Sequence, residues 1–340
     1  MSAIGLDIGG ANLKGSDGHH KSISVPFPLW QRPHELTSAL QQLLQQFPDS
    51  GPVAVTMTGE LADCFRTRSE GVFHILEAAA QAAGNRTLLV WQTTGELVSV
   101  DEAWEFPQLV AAGNWHALAT WAGRMAPSGG SLLIDIGSTT TDIIPIEDGF
   151  PVPQGRTDLE RLQSGELIYA GVRRTPIASL IQELDLRGTK TALAREVFAT
   201  TLDAFLWRGE IPEDPDNRQT ANGQPCTRTA AGERLARMVC SDTNELEEED
   251  LDSVADAVIS KLISLIHTGI DRQVQQITSP VCVLLTGEGE FLARKGLQAC
   301  QLKAAPEIIS LKETLGPEHS AAACAFALSR IASETLHGLI

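Results

Sequence analysis

The chain has 340 residues, 43% of them hydrophobic, and a formal charge of −17 at pH 7, enough length and apolar content for a buried core divided between two domains. The acidic excess excludes a surface recruited to nucleic acid or anionic membrane, which needs clustered Lys and Arg. No apolar run near 20 residues and no basic-then-apolar leader stand out, so a cytoplasmic location is expected, and six cysteines without a CxxC pair or regular Cys/His spacing are expected to be buried thiols.

In chain order, the first strand lies in SAIGLDI and should end near Asp7, with Gly9 and Gly10 at the turn and a second strand starting near Leu13 or Lys14. Glycine admits positive φ and lets backbone N–H groups approach an anion, so phosphate suits this bend, although a Gly-Gly hairpin is also an ordinary turn. Strands follow in PVAVTMT and TLLVWQT, and the Pro/Ser/Gly stretch Arg124 to Gly130 predicts a domain boundary. SLLIDIGSTTTDIIPI (Ser131 to Ile146) then repeats the opening design: strand, Asp135, Gly137, the hydroxyl residues Ser138, Thr139 and Thr140, and strand again. Arg208 to Thr229 holds three prolines and little periodicity and predicts a long loop.

Further on, the acidic run Ser241 to Asp252 reads as a solvated helix start. Leu251, Val254, Val258, Leu262, Leu265 and Ile266 recur at three- and four-residue steps and predict a helix with one buried face. A third glycine turn, LLTGEGEFLARKG (Leu284 to Gly296), carries Gly287 and Gly289 between a buried strand and a helix N-terminus. The last segment, from Gly316 to Leu336, predicts a helix whose small residues allow close packing in the crevice between domains.

A helix terminus favours an anion by only about 0.3–1 kcal/mol, up to ~2 when partly buried, which is too little to hold a diphosphate in an acidic protein. A cation must help. Lys14 is one candidate, and Mg²⁺ held through Asp7 and Asp135 is the other, since magnesium takes one or two carboxylates together with phosphate oxygens and water.

LDIGGANLKG, IDIGSTTTDI and LLTGEGEFL resemble the phosphate-1, phosphate-2 and adenosine segments of the actin, sugar-kinase and Hsp70 superfamily, and DIGSTTTDI is most similar to its hydantoinase/oxoprolinase branch. The resemblance implies an α/β fold of two ribonuclease-H-like domains with a central cleft: residues 1–128 joined by a C-terminal helix 317–340, and residues 129–316 carrying the loop 208–229. VTMTGELADCF, AAGNWHALA, SGELIYAGVRRTP, VFATTLDAFLWRG and ERLARMVCSD resemble a subgroup of that branch, the condensing enzymes of methanofuran biosynthesis and their relatives in bacteria with tetrahydromethanopterin-linked one-carbon transfer. The first loop departs from the branch, which usually has hydroxyl residues and an aspartate after the glycines. Lys14 in GGANLKG instead suits a diphosphate without adenosine.

The resemblance thus implies a transferase that joins an aminomethylfuran diphosphate to a phenolic amine and releases pyrophosphate. Its small-molecule substrates would meet Lys14, Mg²⁺ on Asp7 and Asp135, and the phosphate-binding residues Gly9, Gly10, Asn12, Gly137, Ser138, Thr139, Thr140, Gly287 and Gly289. A phenol with a pKa near ~10 needs a base or a cation to react. Glu60, Asp142, Glu166 and His116 are candidates, each with an alternative structural role as helix start, loop cap or core histidine. Arg173 and Arg174 are candidate anion clamps or surface ion pairs, and one of Trp91, Trp115 and Trp121 can line a ring pocket while the others fill the core. The alternative is an ATP-dependent hydrolase or small-molecule kinase of the same fold, for which the TGEGEF turn would bind adenosine. A nucleotide-sensing protein without turnover is a third reading.

Overall fold

Apolar strands of two to seven residues form the two main sheets of the computed structural model, which describes residues 2–278, 280–302 and 304–338. The first sheet comprises β1 (Ile4–Ile8), β2 (Asn12–Ser16), β3 (Ser22–Pro26), β4 (Val53–Met57), β5 (Leu88–Trp91) and β6 (Leu97–Ser99), in the order β3-β2-β1-β4-β5-β6. β1 and β2 are antiparallel, whereas β4 runs parallel to β1 and β5 to β4. β1 and β4 are buried along their whole length, as parallel strands covered on both faces must be.

The second sheet repeats the plan. β7 (Gly130–Ile136) and β8 (Thr141–Glu147) are an antiparallel pair, with β9 (Phe150–Pro151) and β10 (Leu167–Ile168) on β8. β11 (Glu183–Leu186) and β12 (Thr189–Ala192) form a separate hairpin, and β13 (Cys282–Thr286) and β14 (Glu307–Ser310) extend the sheet in parallel. Side chains alternate across each leading strand. Ile4, Leu6 and Ile8 face one outer core, and Leu132, Ile134 and Ile136 face the other. A third cluster joins the sheets through helices Asn114–Ala122 and Ala323–Leu336, with Ala54 and Trp91 from one side and Leu133, Ile144 and Leu284 from the other.

Helix Glu248–Val274 starts where the acidic run predicts, with Glu247 and Asp250 forming a capping box and Asp250 paired to Arg187. Its buried stripe runs through Leu251, Val254, Val258, Leu262, Ile266 and Ile270, leaving Leu265 only half-buried. Contrary to the expectation from sequence, this helix is by length and composition long and apolar enough to cross a membrane, with a mean hydropathy of 1.3 over 18 of its residues. Here its stripe packs into the second domain's core.

The segment Arg208 to Thr229 is ordered by a bridge between Asp214 and Cys226, with Ile211 and Cys226 buried. Of the cysteines, Cys226, Cys282 and Cys324 are buried, Cys64 and Cys300 are intermediate, and Cys240 is exposed. The C-terminal helix is two helices: Pro317–Ala321 ends at Ala322, whose φ of −120° and ψ of 34° leave the helical region, and Ala323–Leu336 follows. Residues 339 and 340, where the predicted helix ended, lie outside the described residues.

Helix Ala323–Leu336 docks on β1 because Gly5 has no side chain: a Cβ there would lie 2.1 Å from the Ala325 carbonyl oxygen. Gly5→Ala is therefore expected to cost about 1–3 kcal/mol of stability, as overpacking of a core does. A denaturant midpoint equal to that of the parent chain would show that the helix can shift without cost.

Candidate active site

The bends at the ends of β1 and β7 are built alike. In register, Asp7 stands opposite Lys14 and Asp135 opposite Asp142, so the same position carries a cation in one bend and an anion in the other. The Gly9 N–H donates to the Asn12 carbonyl (3.0 Å) and the Gly137 N–H to the Thr140 carbonyl (2.9 Å). Those two amides close the turns and are not the anion donors expected of them. Among the described residues, the amides of Gly10, Ala11, Ser138 and Thr139 have no such backbone partner.

Both bends open on one cleft of about 700 Å³. Asp7, Gly9, Gly10, Asn12 and Lys14 line one wall, and Asp135, Gly137, Ser138, Thr139, Thr140 and Asp142 the other. Gly287 completes it at a φ of +85°; a Cβ there would sit 2.4 Å from Asp135 Oδ1, so only glycine fits. Gly289 does not reach the cleft. Its N–H donates to the Ile136 carbonyl and a Cβ would meet the Ile136 side chain, so it is a packing residue at the start of helix Glu290–Ala299.

The electrostatics follow from burial. Desolvation raises the pKa of Asp7 against the pull of Lys14, whose Nζ is 3.9 Å away, and Asp7 Oδ1 has no hydrogen-bond partner among the described residues. Asp135 is pushed up to about 7, first by burial and then by Asp142, with Lys14 opposing and Asp7 and Glu290 adding to the rise. Burial alone would lower Lys14, but Asp7, Cys324 and Asp135 raise it above its ordinary value, so it stays a cation. That Lys14 acts on carboxylates of both bends reflects their convergence.

Asp142 is held by Arg161, a fully buried guanidinium 2.6 Å away that stacks on Trp115 at 4.0 Å. Trp115 lines the cleft, while Trp91 packs by His116 and Trp121 by Phe326 in the core. Glu60 is 1% exposed and lines the cleft, next to the first bend: the Thr58 and Gly59 amides both donate to Ile8. Its carboxyl is pushed up to about 7 by burial, with Asp158 adding and its own amide, Arg68 and the Ala112 amide opposing. Arg174 also lines the cleft and lies over Trp30 of the other domain at 5.5 Å.

Three predicted residues belong elsewhere. Glu166 is wholly buried, does not line the cleft, and accepts from the Gln154 and Gly155 amides and the Ser164 hydroxyl, which makes it a loop anchor. His116 is buried between Trp91 and Trp115, and burial with Arg156 and Arg161 nearby lowers it to about 4, so it is a neutral core histidine. Arg173 is not a free clamp, since its Nε is 2.7 Å from Glu288 in an ion pair beside the third turn. Arg161, Asp158 and Cys324 escaped the sequence reading although all three line the cleft. The helix carrying the first two is marked by the Thr157/Glu160 capping box, but nothing local marks which of its side chains turns inward.

Two α/β domains, each led by an antiparallel strand pair, extended by parallel strands and presenting a glycine bend to a shared cleft, have the actin-like and sugar-kinase-like class of fold. The chain belongs to the hydantoinase/oxoprolinase family, whose profile matches residues 52–335. It is 33% identical over 337 residues, 98% of both chains, to (4-{4-[2-(gamma-L-glutamylamino)ethyl]phenoxymethyl}furan-2-yl)methanamine synthase of Methanocaldococcus jannaschii. The enzyme of the same name from Methanococcus vannielii is 33% identical over 206 residues, 61% of this chain and 92% of that one. Among solved structures, the PilM-PilN type IV pilus biogenesis complex has a chain that aligns with a TM-score of 0.50 at 13% identity, covering 98% of this chain and 99% of that one, a likeness of fold alone.

Proposed function

We propose that the chain is a transferase that joins an aminomethylfuran diphosphate to a phenolic amine, with release of pyrophosphate, in the biosynthesis of a methanofuran-type cofactor. The relatives at 33% identity are named for a product in which a phenol oxygen is bonded to a furan methylene. Forming that ether by displacement requires a good leaving group on the methylene. The observation that carries the reading is the paired bends on one cleft, with Lys14 felt by Asp7 and Asp135 alike and the Gly10, Ala11, Ser138 and Thr139 amides without a backbone partner among the described residues, a constellation suited to a departing polyanion.

The furan oxygen stabilises positive charge at the methylene, so the chain's task is to receive charge on the leaving diphosphate and to hold the phenol in line. Lys14 and those amides do the first. The cleft wall around Trp115 and Leu61 receives the aromatic acceptor. Asp7 and Asp135 would hold a divalent ion, which fits a buried Asp7 oxygen without a partner among the described residues and an Asp135 carboxyl whose ionisation Asp7 and Asp142 oppose. Magnesium bound there would supply neutralising charge to the diphosphate.

The test is thermal unfolding with added ligands, since a ligand at one hundred times its Kd stabilises by ~2.7 kcal/mol. Pyrophosphate with Mg²⁺ is expected to raise Tm more than ATP or ADP with Mg²⁺ does. A rise with ATP and none with pyrophosphate would instead support the ATP-dependent hydrolase or kinase.

A further inference from the structure

The acceptor side of the reaction needs a group that takes the phenolic proton, and the cleft holds several carboxyls that differ in what already occupies them. Asp142 is engaged by Arg161, and Glu166 is spent on two amides and a hydroxyl. Asp7 and Asp135 belong to the phosphate bends. Glu60 is different. Its Oε2 is buried with no hydrogen-bond partner among the described residues, and its Oε1 lies 3.9 Å from Arg68 Nε, an ion contact too long for a hydrogen bond.

Its position is also fixed. Gly71 of helix Arg68–Ala83 lets that helix press on the Glu60 backbone, where a Cβ would sit 2.1 Å from the Glu60 carbonyl oxygen. Gly59 packs in turn against Gly9 of the first bend, so Glu60 stands beside the place where the leaving group would be held. A buried carboxyl oxygen without a partner is costly unless a bound ligand supplies one. We propose that Glu60 is the catalytic base that accepts the phenol proton of the acceptor, an inference that rests on the transferase reading above.

In that step the phenol O–H bond breaks and its proton passes to a Glu60 oxygen. The phenol oxygen's electron pair forms the new bond to the furan methylene. The methylene–oxygen bond to diphosphate breaks, with its electrons leaving on the diphosphate, and no redox partner is needed. Arg68 is a positioning residue: it contacts Glu60 at 3.9 Å and Asp158 of the other domain at 3.7 Å. The groups that set the proton affinity of Glu60 are therefore Arg68, Asp158 and the amides of Glu60 and Ala112.

The experiment compares the parent chain with Glu60→Gln on a series of phenolic acceptors whose hydroxyl pKa is lowered by ring fluorination. Glu60→Gln is expected to lower kcat/KM for the unsubstituted phenol by about 10²–10⁴-fold, the usual worth of a general base. The loss should shrink steadily as the acceptor becomes more acidic, because an ionised phenol needs no base.

For the parent chain, log(kcat/KM) should rise with pH up to about 7 and then level. Glu60→Gln should lack that limb, and Arg68→Met should move it to higher pH because the opposing cation is gone. Retained pyrophosphate binding in Glu60→Gln, read by thermal shift, is expected and establishes that fold and bends are intact. A loss equal for all acceptors, or an unchanged acid limb, would overturn the assignment of Glu60 while leaving the transferase reading in place. No pyrophosphate release by the parent chain with any acceptor would overturn the reaction itself and the base with it.

Discussion

Replacing Lys14 by methionine is expected to lower the rate of pyrophosphate release by about 10²–10³-fold, the effect of deleting one preorganised donor to a developing anion. Lys14 is the residue in register with Asp7, and both line the cleft between the bends. Methionine keeps most of the apolar stem, so packing against neighbouring strands survives while the charge goes. The fold should survive as well, because burial already raises the Asp7 pKa and loss of the cation 3.9 Å away lets Asp7 take up a proton. The expected result is thus a large loss of turnover with little change in Tm. Lys14→Arg should restore the charge but only part of the rate, since a planar guanidinium is not a point ammonium. A Lys14→Met chain with undiminished turnover would remove Lys14 from the leaving-group site.

The largest loss of stability is expected at a buried pair that does not line the cleft. Arg234 and Asp203 are both completely buried, with Arg234 Nε donating to Asp203 Oδ1 at 2.7 Å. Arg234→Met leaves Asp203 as an uncompensated buried acid and is expected to cost about 3–5 kcal/mol, as removal of one partner of a buried pair does. The pair also holds the long loop: Arg234 Nη1 donates to Asn222 Oδ1 at 3.3 Å and to the Pro225 carbonyl at 3.4 Å, while Asp203 caps its own helix by accepting from the Thr200 amide. Proteolysis between Arg208 and Thr229 should therefore accelerate in Arg234→Met. The double variant Asp203→Leu/Arg234→Met should regain much of the lost stability, because replacing both charges by apolar groups removes the desolvation problem. Denaturant midpoints of the three variants check this, and an Arg234→Met midpoint within error of the parent would contradict it.

Both leading bends were legible because they are local. A strand ending in Asp-Ile-Gly, followed by small residues and another strand, fixes a turn by short-range sterics, and finding it twice pointed to a repeated domain. The equal spacing from Asp7 to Lys14 and from Asp135 to Asp142 was also available, since register within a tight hairpin follows from its turn. The 27-residue helix was legible for the same reason: its apolar period is local, and its acidic start is a cap.

Other residues were read wrongly or missed because their role depends on what packs against them from elsewhere in the chain. Glu60 and Glu166 both stand in a Gly-Glu-Leu triplet, yet one lines the cleft and the other is consumed by Gln154 and Gly155. His116 carries ordinary donor chemistry until two tryptophans bury it. Gly289 sits two residues from Gly287 but faces Ile136, so only the first meets the site.

By itself, the sequence determined the elements, the two glycine bends, the acidic residues available to a phosphate cleft and the family. Those depend on backbone sterics and short apolar periods, which neighbouring residues settle between themselves. The tertiary structure alone decided that the bends share one cleft, that Arg161 and Asp158 enter it and that Glu60 keeps a free oxygen there. Each of these requires segments far apart in the chain to meet, as where the Ala3 amide donates to Ser333 and helix Ala323–Leu336 settles on Gly5. Such contacts are set by the burial of whole faces, which no local stretch of residues encodes.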